Sequence, residues 1–168
     1  IEDLGGDIDQ SMRVYLADLY ALDLNVGRML DTLDELELTN NTVLVFSSDN
    51  GPARPSAEFL ENIGYAGGLR GGKHYYYEGG TRVPFIVRWP MGTPRNKVND
   101  SIMFGLDWLP TVCSLAGCDI PWEIMEGEDM SDVWRGAVRN RHTPLFYRGI
   151  GPNPGYREQH WIRYGPWK

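Results

Sequence analysis

A long amphipathic segment followed directly by a short apolar one constrains the fold of this chain most strongly. Across residues 9–38, apolar residues recur at steps of three and four, which places them along one face of an α-helix. Residues 39–41 interrupt this pattern, and residues 42–47 form a nearly continuous apolar run rich in β-branched side chains, as in a strand buried on both faces. A helix followed by a buried strand predicts an α/β unit. The helical stripe comprises Met12, Leu16, Leu19, Leu22, Val26, Met29, Leu33 and Leu36.

Further along the chain, the sequence predicts a long loop, a second strand and a second helix. Residues 51–82 are rich in Gly, Pro and Tyr and show little periodicity, which predicts a long loop, and such loops are often functional. Residues 84–89 predict a strand that ends at Pro90. Asp107 is expected to cap a helix with Pro110 in its first turn. Gly117 suits the carboxy-terminal end of that helix.

The sequence of the last part of the chain predicts a small separate subdomain. A short helix is expected near residues 130–135, a strand at 145–148 and a final strand near 160–164. These two strands could pair as a small antiparallel sheet. The chain is therefore predicted to divide into an α/β portion over residues 1–120 and a small α+β subdomain over residues 121–168.

Composition and charge exclude several classes of function. The chain has 168 residues, 42% of them hydrophobic, which is enough for a real core. A formal charge of −7 disfavours a nucleic-acid surface, since phosphate binding requires clustered cations. No apolar run approaches the roughly 18 residues of a membrane helix, so neither nucleic acid nor membrane is expected as a partner. Because the chain starts at Ile1 without a leader, we expect it to be part of a longer product.

A first candidate site lies where the buried strand is predicted to end. Ligands of open α/β sheets bind beyond the carboxyl ends of the strands, and Asp49 and Asn50 follow directly. A carboxylate and an amide oxygen suit a hard cation such as Ca²⁺ or Mg²⁺, and Gly51 lets the backbone turn sharply. Two ligands do not complete a site. The alternative is a plain Asn-Gly turn, although Pro52 and the residues after it do not continue as a hairpin strand.

A second candidate site is the glycine-rich segment of residues 69–84. Lys73 can stabilise charge on a sulfuryl or phosphoryl oxygen as a compact cation, and the alternative is a solvated loop lysine. His74 is a candidate general acid or second anion contact, with packing or surface exposure as the alternative. Glu78 and Arg82 are expected to support the loop structure.

Taken together and in this order, these two segments resemble the carboxy-terminal half of the sulfatase family, in the alkaline-phosphatase-like superfamily. The resemblance begins in the first helix, where Leu-Asn-Val-Gly at residues 24–27 is similar to the family's Asp-x-x-Val-Gly. It continues through Ser-Asp-Asn-Gly at 48–51 and Lys-x-x-x-Tyr-Glu-Gly-Gly at 73–80, and ends at residues 162–168. It implies the carboxy-terminal portion of an alkaline-phosphatase-like α/β sheet fold plus a small antiparallel sheet subdomain.

The resemblance also implies roles for the candidate residues. Asp49 and Asn50 would be two ligands of a divalent metal, usually Ca²⁺, and Lys73 would contact the sulfate and assist the leaving group. His74 stands where the family commonly has Gly, so that the surroundings of the sulfate or the fit of the substrate would differ. The implied partner is a sulfated small molecule or glycan, and the implied location is periplasmic, secreted or lysosomal.

One departure from the family pattern concerns the nucleophile. The family uses formylglycine made from Cys or Ser within Cys/Ser-x-Pro/Ala-x-Arg, and neither Cys113 nor Cys118 fits this signature. Formylglycine and the remaining metal ligands are therefore expected in an amino-terminal half of the same protein, upstream of Ile1, and this chain alone is expected to be inactive. Two alternatives remain at this point. One is a phosphoryl or phosphonate ester hydrolase of the same superfamily, and the other is a non-catalytic carbohydrate-binding module using Trp89, Trp161 and Trp167.

Overall fold

The computed structural model describes residues 10–53, 64–149 and 158–168, which form helices and strands in mixed order. The chain separates into two compact units, Ile1–Ile86 and Val87–Lys168. The helices are α1 (Gln10–Glu35), α2 (Glu78–Thr81), α3 (Trp108–Ala116) and α4 (Ser131–Trp134). The strands are β1 (Leu44–Ser47), β2 (Phe85–Arg88), β3 (Leu145–Gly149) and β4 (Gln159–Arg163). Short 3₁₀ turns cover Thr39–Asn41, Gly105–Asp107 and Trp122–Ile124.

The helix α1 confirms the strongest prediction from the sequence, although it ends three residues early. The N–H of Leu38 donates to the carbonyl of Leu33 (2.9 Å), and the N–H of Glu37 donates to that of Asp34 (3.0 Å). Glu37 itself has a positive φ of 57°. This pair of bonds around a left-handed residue is the Schellman arrangement that ends helices. The predicted first residue, Asp9, lies outside the described residues.

The first strand is less buried than predicted, and the apolar face of the first helix is uncovered among the described residues. No residue of α1 is buried, and stripe residues such as Leu22 and Met29 are 45% and 58% exposed. Strand β1 is half-buried at Leu44, Val45 and Phe46 rather than covered on both faces. It pairs with β2 in a sheet of two strands among the described residues. The predicted secondary structure is therefore correct, while the predicted burial of β1 on both faces is not observed in the described part of the chain.

The predicted loop of residues 51–82 contains one element that the sequence did not indicate. Within its described parts, 51–53 and 64–82, the single-turn helix α2 places Gly79 and Gly80 at buried positions. Glycine is a poor helix former, which explains why the propensities did not reveal this turn. The remainder of the loop, residues 54–63, lies outside the described residues.

The core of the second unit lies around α4. Met130, Val133 and Trp134 are buried together with Leu145 at the start of β3. Trp134 meets Trp108 of α3 edge to face, with ring centroids 5.8 Å apart. Helix α3 ends as predicted, at Gly117 with a φ of 70°. No helix in the described part of the chain has the length and apolar character required to cross a membrane.

The two last strands pair as the sequence predicts. β3 and β4 run antiparallel, with Phe146 opposite Ile162 and Tyr147 opposite Trp161. The Tyr147 and Trp161 rings stack with centroids 5.9 Å apart, and the edge of Phe104 meets Trp161 at 6.0 Å. Cross-strand aromatic pairs of this kind stabilise small sheets. The small antiparallel sheet is thus confirmed.

Segments on both sides of residue 120 pack within the second unit. The N–H of Glu128 donates to a carboxylate oxygen of Asp107 (2.8 Å), and the N–H of Met130 donates to the hydroxyl of Thr111 (2.9 Å). These bonds tie α3 to the chain leading into α4. The division into domains at residue 120 stays a prediction.

Candidate functional site

Two backbone hydrogen bonds join the two candidate motifs within the first unit. The N–H of Gly51 donates to the carbonyl of Gly80 at 3.0 Å, and the N–H of Lys73 donates to the carbonyl of Pro52 at 2.8 Å. The segment after β1 therefore lies against the glycine-rich loop. The structure brings together the backbone segment that carries Asp49 and Asn50 and the segment that carries Lys73. These two segments are more than twenty residues apart in the sequence.

Glycine is required where these segments meet. A Cβ at Gly51 would overlap the carbonyl oxygen of Gly79, and a Cβ at Gly80 would overlap the carbonyl oxygens of Gly72 and Tyr75. Backbone atoms cannot move aside as a flexible side chain can. The glycines of the Asp-Asn-Gly and Glu-Gly-Gly motifs thus permit close packing of one backbone segment on the other, in addition to any turn they allow.

Serine side chains hold the segment that follows β1. The hydroxyl of Ser47 donates to the carbonyl of Pro84 (3.1 Å), just before β2. The hydroxyl of Ser48 donates to the carbonyl of Asn50 (2.8 Å). These bonds fix the backbone that carries Asp49, which is exposed, and Asn50, which is half-buried.

The oxygens of Asp49 and Asn50 suit a hard divalent cation, because carboxylate and amide oxygens are typical ligands of Ca²⁺ and Mg²⁺. Two such groups provide only part of the six to eight oxygens that Ca²⁺ takes. Among the residues that the structure describes, no cluster of three or more His, Cys, Asp or Glu side chains could hold a metal. The donor chemistry therefore fits one edge of a metal site, and the role of both residues stays a prediction.

Lys73 and His74 occupy the two central positions of a tight turn. The N–H of Tyr75 donates to the carbonyl of Gly72 (3.0 Å), which closes the turn. Of the two central residues only His74 has a positive φ, at 71°, which is the pattern of a type II turn. Both side chains are exposed, so the turn presents a cation and an imidazole side by side.

The other cations of the loop are differently placed. The guanidinium of Arg70 stacks over the ring of Tyr77, 3.8 Å from its centroid, and the carbonyl of Arg70 accepts a hydrogen bond from the N–H of Gly79 (2.8 Å). Arg70 therefore helps to hold the loop together. The N–H of Arg82 donates to the carbonyl of Glu78 at the end of α2 (2.8 Å), in agreement with the expected structural role of this pair.

Among the described residues, the most buried charged groups lie in the second unit: Asp107, which the sequence indicates only as a helix cap, and Glu128 and Arg141, which it does not single out. Asp107 is wholly buried, pairs with Arg141 and accepts the N–H of Phe104 (2.7 Å) as well as that of Glu128 (2.8 Å). Asp107 occupies the N-cap position of α3, as predicted, but its side chain makes no capping hydrogen bond to that helix. A wholly buried carboxylate needs a cation and several donors, and α3 alone could not supply them.

Glu128 is the most strongly perturbed acid of this network. Burial alone would raise the pKa of its carboxyl group, but hydrogen bonds from the N–H and hydroxyl of Thr143 and from Arg139, together with the charge of Arg141, lower the pKa from 4.5 to about 2. Burial would likewise lower the pKa of Arg139, but its bonds to Glu128 and Asp132 raise that pKa. The groups of this network bond mainly to one another, which indicates a structural role, while Nε and Nη2 of Arg141 are buried without a hydrogen-bond partner among the described residues.

The three tryptophans of the carbohydrate-binding alternative have separate surroundings. Trp161 stacks on Tyr147 and lies under the ammonium of Lys168, 4.8 Å from its ring centroid. Trp89 lies under the guanidinium of Arg135 (5.2 Å), and Trp167 is 78% exposed. This arrangement offers no support for one shared sugar platform.

The family described as Sulfatase matches residues 2–118 of this chain. Arylsulfatase G of Rattus norvegicus is 34% identical over 167 residues, which are 95% of this chain and 32% of that protein. Steryl-sulfatase of Mus musculus is 38% identical over 130 residues, which are 75% of this chain and 21% of that protein. The chain thus spans about a fifth to a third of the length of these curated relatives.

Solved structures show the same likeness. The crystal structure of Ps i-CgsB in complex with k-i-k-neocarrahexaose has a TM-score of 0.77 to this chain at 27% identity, and the match covers 95% of this chain and 34% of that one. The likeness confirms the predicted α/β fold of the alkaline-phosphatase-like type and its restriction to the carboxy-terminal part.

Proposed function

Because this chain belongs to the sulfatase family, we propose that it forms part of an enzyme that hydrolyses sulfate esters and supplies one side of the active site. The observation that carries the proposal is the backbone pairing of the Asp49–Asn50 segment with the loop of Lys73. It holds candidate metal ligands and a candidate sulfate contact in one compact unit.

Asp49 and Asn50 would hold a divalent cation, Ca²⁺ by family resemblance, with Mg²⁺ as the alternative. When bound, such a cation supplies positive charge that stabilises the oxygens of the sulfate group. Within this chain, Ser48 and Gly51 position the two ligands through backbone contacts, since Ser48 bonds the carbonyl of Asn50 and Gly51 bonds Gly80. The other ligands would come from the rest of the enzyme.

Lys73 would bind the sulfate and stabilise negative charge on the leaving oxygen. A compact ammonium serves this purpose well, because it can approach an oxygen from any direction and its effect grows when water is excluded. The bond from its own N–H to Pro52 fixes the start of the side chain. The neighbouring His74 would contact the substrate as well.

The nucleophile would lie in the amino-terminal half of the same protein. Neither Cys113, which is half-buried, nor Cys118, which is exposed, stands in a formylglycine signature. The uncovered apolar residues of α1 and the half-buried strand β1 support this proposal, because a surface of this kind is normally covered. The chain by itself would then be inactive, and the complete enzyme would be periplasmic, secreted or lysosomal.

A test on the full-length enzyme that contains this chain separates the candidate reactions. We expect release of p-nitrophenol from p-nitrophenyl sulfate and much slower release from p-nitrophenyl phosphate. Chelation with EDTA should abolish turnover, and added Ca²⁺ should restore it.

The Asp49→Ala variant should need more Ca²⁺ for half-maximal activity, whereas Asp119→Ala, at an exposed position in the second unit, should not. Preference for the phosphate ester, or turnover by the isolated chain, would contradict the proposal.

A further inference from the structure

Helix α3 ends in the same arrangement of backbone hydrogen bonds as α1. The N–H of Cys118 donates to the carbonyl of Cys113 (2.9 Å), and the N–H of Gly117 donates to that of Ser114 (3.3 Å). Gly117 itself has a positive φ of 70°. These bonds around a left-handed residue form the Schellman motif, in which the side chains at the first and last positions commonly contact each other. In α3 these positions are Cys113 and Cys118.

The residue types at these two positions differ between the two helices. At the end of α1 they are Leu33 and Leu38, an apolar pair of the usual kind. At the end of α3 they are Cys113 and Cys118, which are the only two cysteines among the 168 residues of the sequence. An apolar contact does not require sulfur. The pair at the end of α3 therefore offers a further chemistry, the oxidation of two thiols to a disulfide.

The hydrogen bond between the two cysteines limits the separation of their Cα atoms. With an N···O distance of 2.9 Å and standard backbone bond lengths, these atoms are at most about 6.8 Å apart. Native disulfides span Cα–Cα distances of about 4.4–6.8 Å, so a bond requires no large movement of the backbone. Both thiols are free in the structure, Cys113 is half-buried, and Cys118 is exposed and thus accessible to an oxidant.

We propose that Cys113 and Cys118 form a disulfide that links the carboxy-terminal end of α3 to the segment after it. The oxidant is a small disulfide such as oxidised glutathione. The thiolate of Cys118 attacks one of its sulfurs, which releases one reduced glutathione and leaves a mixed disulfide. The thiolate of Cys113 then attacks the sulfur of Cys118 and releases the second. The two cysteines lose two electrons and two protons in total, and the two glutathione molecules gain them.

The bond stabilises the second unit at the start of an exposed segment. Residues 119–126 are mostly exposed, and the chain is held to α3 at their far end, where the N–H of Met130 bonds the hydroxyl of Thr111. The disulfide fixes the near end as well, and it lowers the entropy of the unfolded chain by closing a short loop. It requires no sulfatase activity, so it stands apart from the proposed function.

Peptide mapping of the full-length protein tests the bond directly. Trypsin cleaves after Lys97 and Arg135 and after no residue between them, so both cysteines fall in one peptide, residues 98–135. After oxidation with glutathione and alkylation with iodoacetamide, we expect this peptide to be unalkylated and lighter than its dithiol form by the mass of two hydrogen atoms. After reduction with dithiothreitol, it should take up two alkyl groups. Two alkyl groups in the oxidised sample, glutathione retained on Cys118, or a bond from either cysteine to a different one would overturn the proposal.

The Cys118→Ala variant tests the effect on stability, because an exposed thiol contributes little to packing. Without reductant, its thermal midpoint should lie a few degrees below that of the oxidised wild type. In excess dithiothreitol, the two midpoints should agree to within about one degree. Asp119→Ala, at the next exposed position, is the matched control and should follow the wild type under both conditions. A difference between Cys118→Ala and wild type that is equal with and without reductant, or absent in both, would overturn the stabilising role.

Discussion

The backbone N–H of Lys73 donates a 2.8 Å hydrogen bond to the carbonyl of Pro52. Pro52 is two residues after Asn50 and three after Asp49, so this bond holds the backbone of Lys73 against the segment that carries the candidate metal ligands. The bond between Gly51 and Gly80 closes the same contact from the other side. The geometry of the candidate site therefore depends on how closely two backbone segments approach each other.

Replacing Gly80 with Ala should disrupt this approach. The new Cβ would overlap the carbonyl oxygens of Gly72 and Tyr75, which belong to the loop backbone. We expect a loss of about 2–4 kcal/mol in the free energy of unfolding and a large loss of turnover. Urea denaturation and p-nitrophenyl sulfate hydrolysis measure the two effects. Gly105→Ala is the control, because its Cβ would meet nothing within 4 Å, and it should change stability by less than about 0.5 kcal/mol. Equal stability of the two variants would contradict the close contact.

Replacing Lys73 with Ala should leave the fold intact, because an exposed side chain contributes little to stability. It should reduce turnover at least about 100-fold, because a preorganised cation contributes much to the stabilisation of negative charge. Lys97→Ala removes an exposed lysine of the second unit and should retain wild-type kcat and KM. Circular dichroism and steady-state kinetics on the full-length enzyme provide the measurements. If both variants were equally active, Lys73 would be an ordinary loop lysine.

Replacing Asp107 with Asn should destabilise the second unit strongly. The change leaves Arg141, whose side chain is only 5% exposed, with Glu128 at 3.7 Å as its remaining acidic partner among the described residues. We expect a cost of about 3–5 kcal/mol in the free energy of unfolding, measured by chemical denaturation. Asp119→Asn, at an exposed position, should cost less than about 0.5 kcal/mol. A small effect at Asp107 would show that the ion pair contributes little.

The stability of the second unit should fall in acid through Glu128. Because folding lowers the pKa of this carboxyl group from 4.5 to about 2, its stabilising contribution is complete above pH 4.5 and is lost as the pH falls towards 2. The contribution is of the order of 3 kcal/mol. Denaturation of wild type and Glu128→Gln at several pH values measures it. The variant should be less stable at pH 7, and its stability should depend less on pH between 4.5 and 2. Parallel pH profiles would show that Glu128 keeps its ordinary pKa when folded.

Elements with a clear periodic pattern were predictable from the sequence. The three- and four-residue steps identified α1, the apolar run identified β1, and Pro110 with Gly117 bounded α3 correctly. Each of these signals is local, since it depends on residues within one or two turns of the chain. The short helix α2 was missed because its glycines oppose helix formation and tertiary contacts hold them in place.

The chemistry proposed for the candidate site depends on residue types, which the sequence shows directly, and it stays a prediction. A carboxylate and an amide in sequence at Asp49 and Asn50 indicate a cation, and Lys73 in a glycine-rich loop indicates an anion. The sequence could not reveal that the loop lies on Gly51 or that His74 has a positive φ, since both depend on how distant backbone segments meet.

The sequence by itself thus determined the order and type of the main elements, the family resemblance and the residues that suit metal and sulfate. Only the tertiary structure decided that the side chain of Asp107, at the N-cap position of α3, is a buried ion-pair partner, that α1 is uncovered in the described residues, and that Gly80 lies too close to Gly72 and Tyr75 to admit a side chain. The physical reason is that periodicity and residue chemistry are local properties of the chain. Burial and backbone contact depend on which segments, far apart in sequence, occupy neighbouring space.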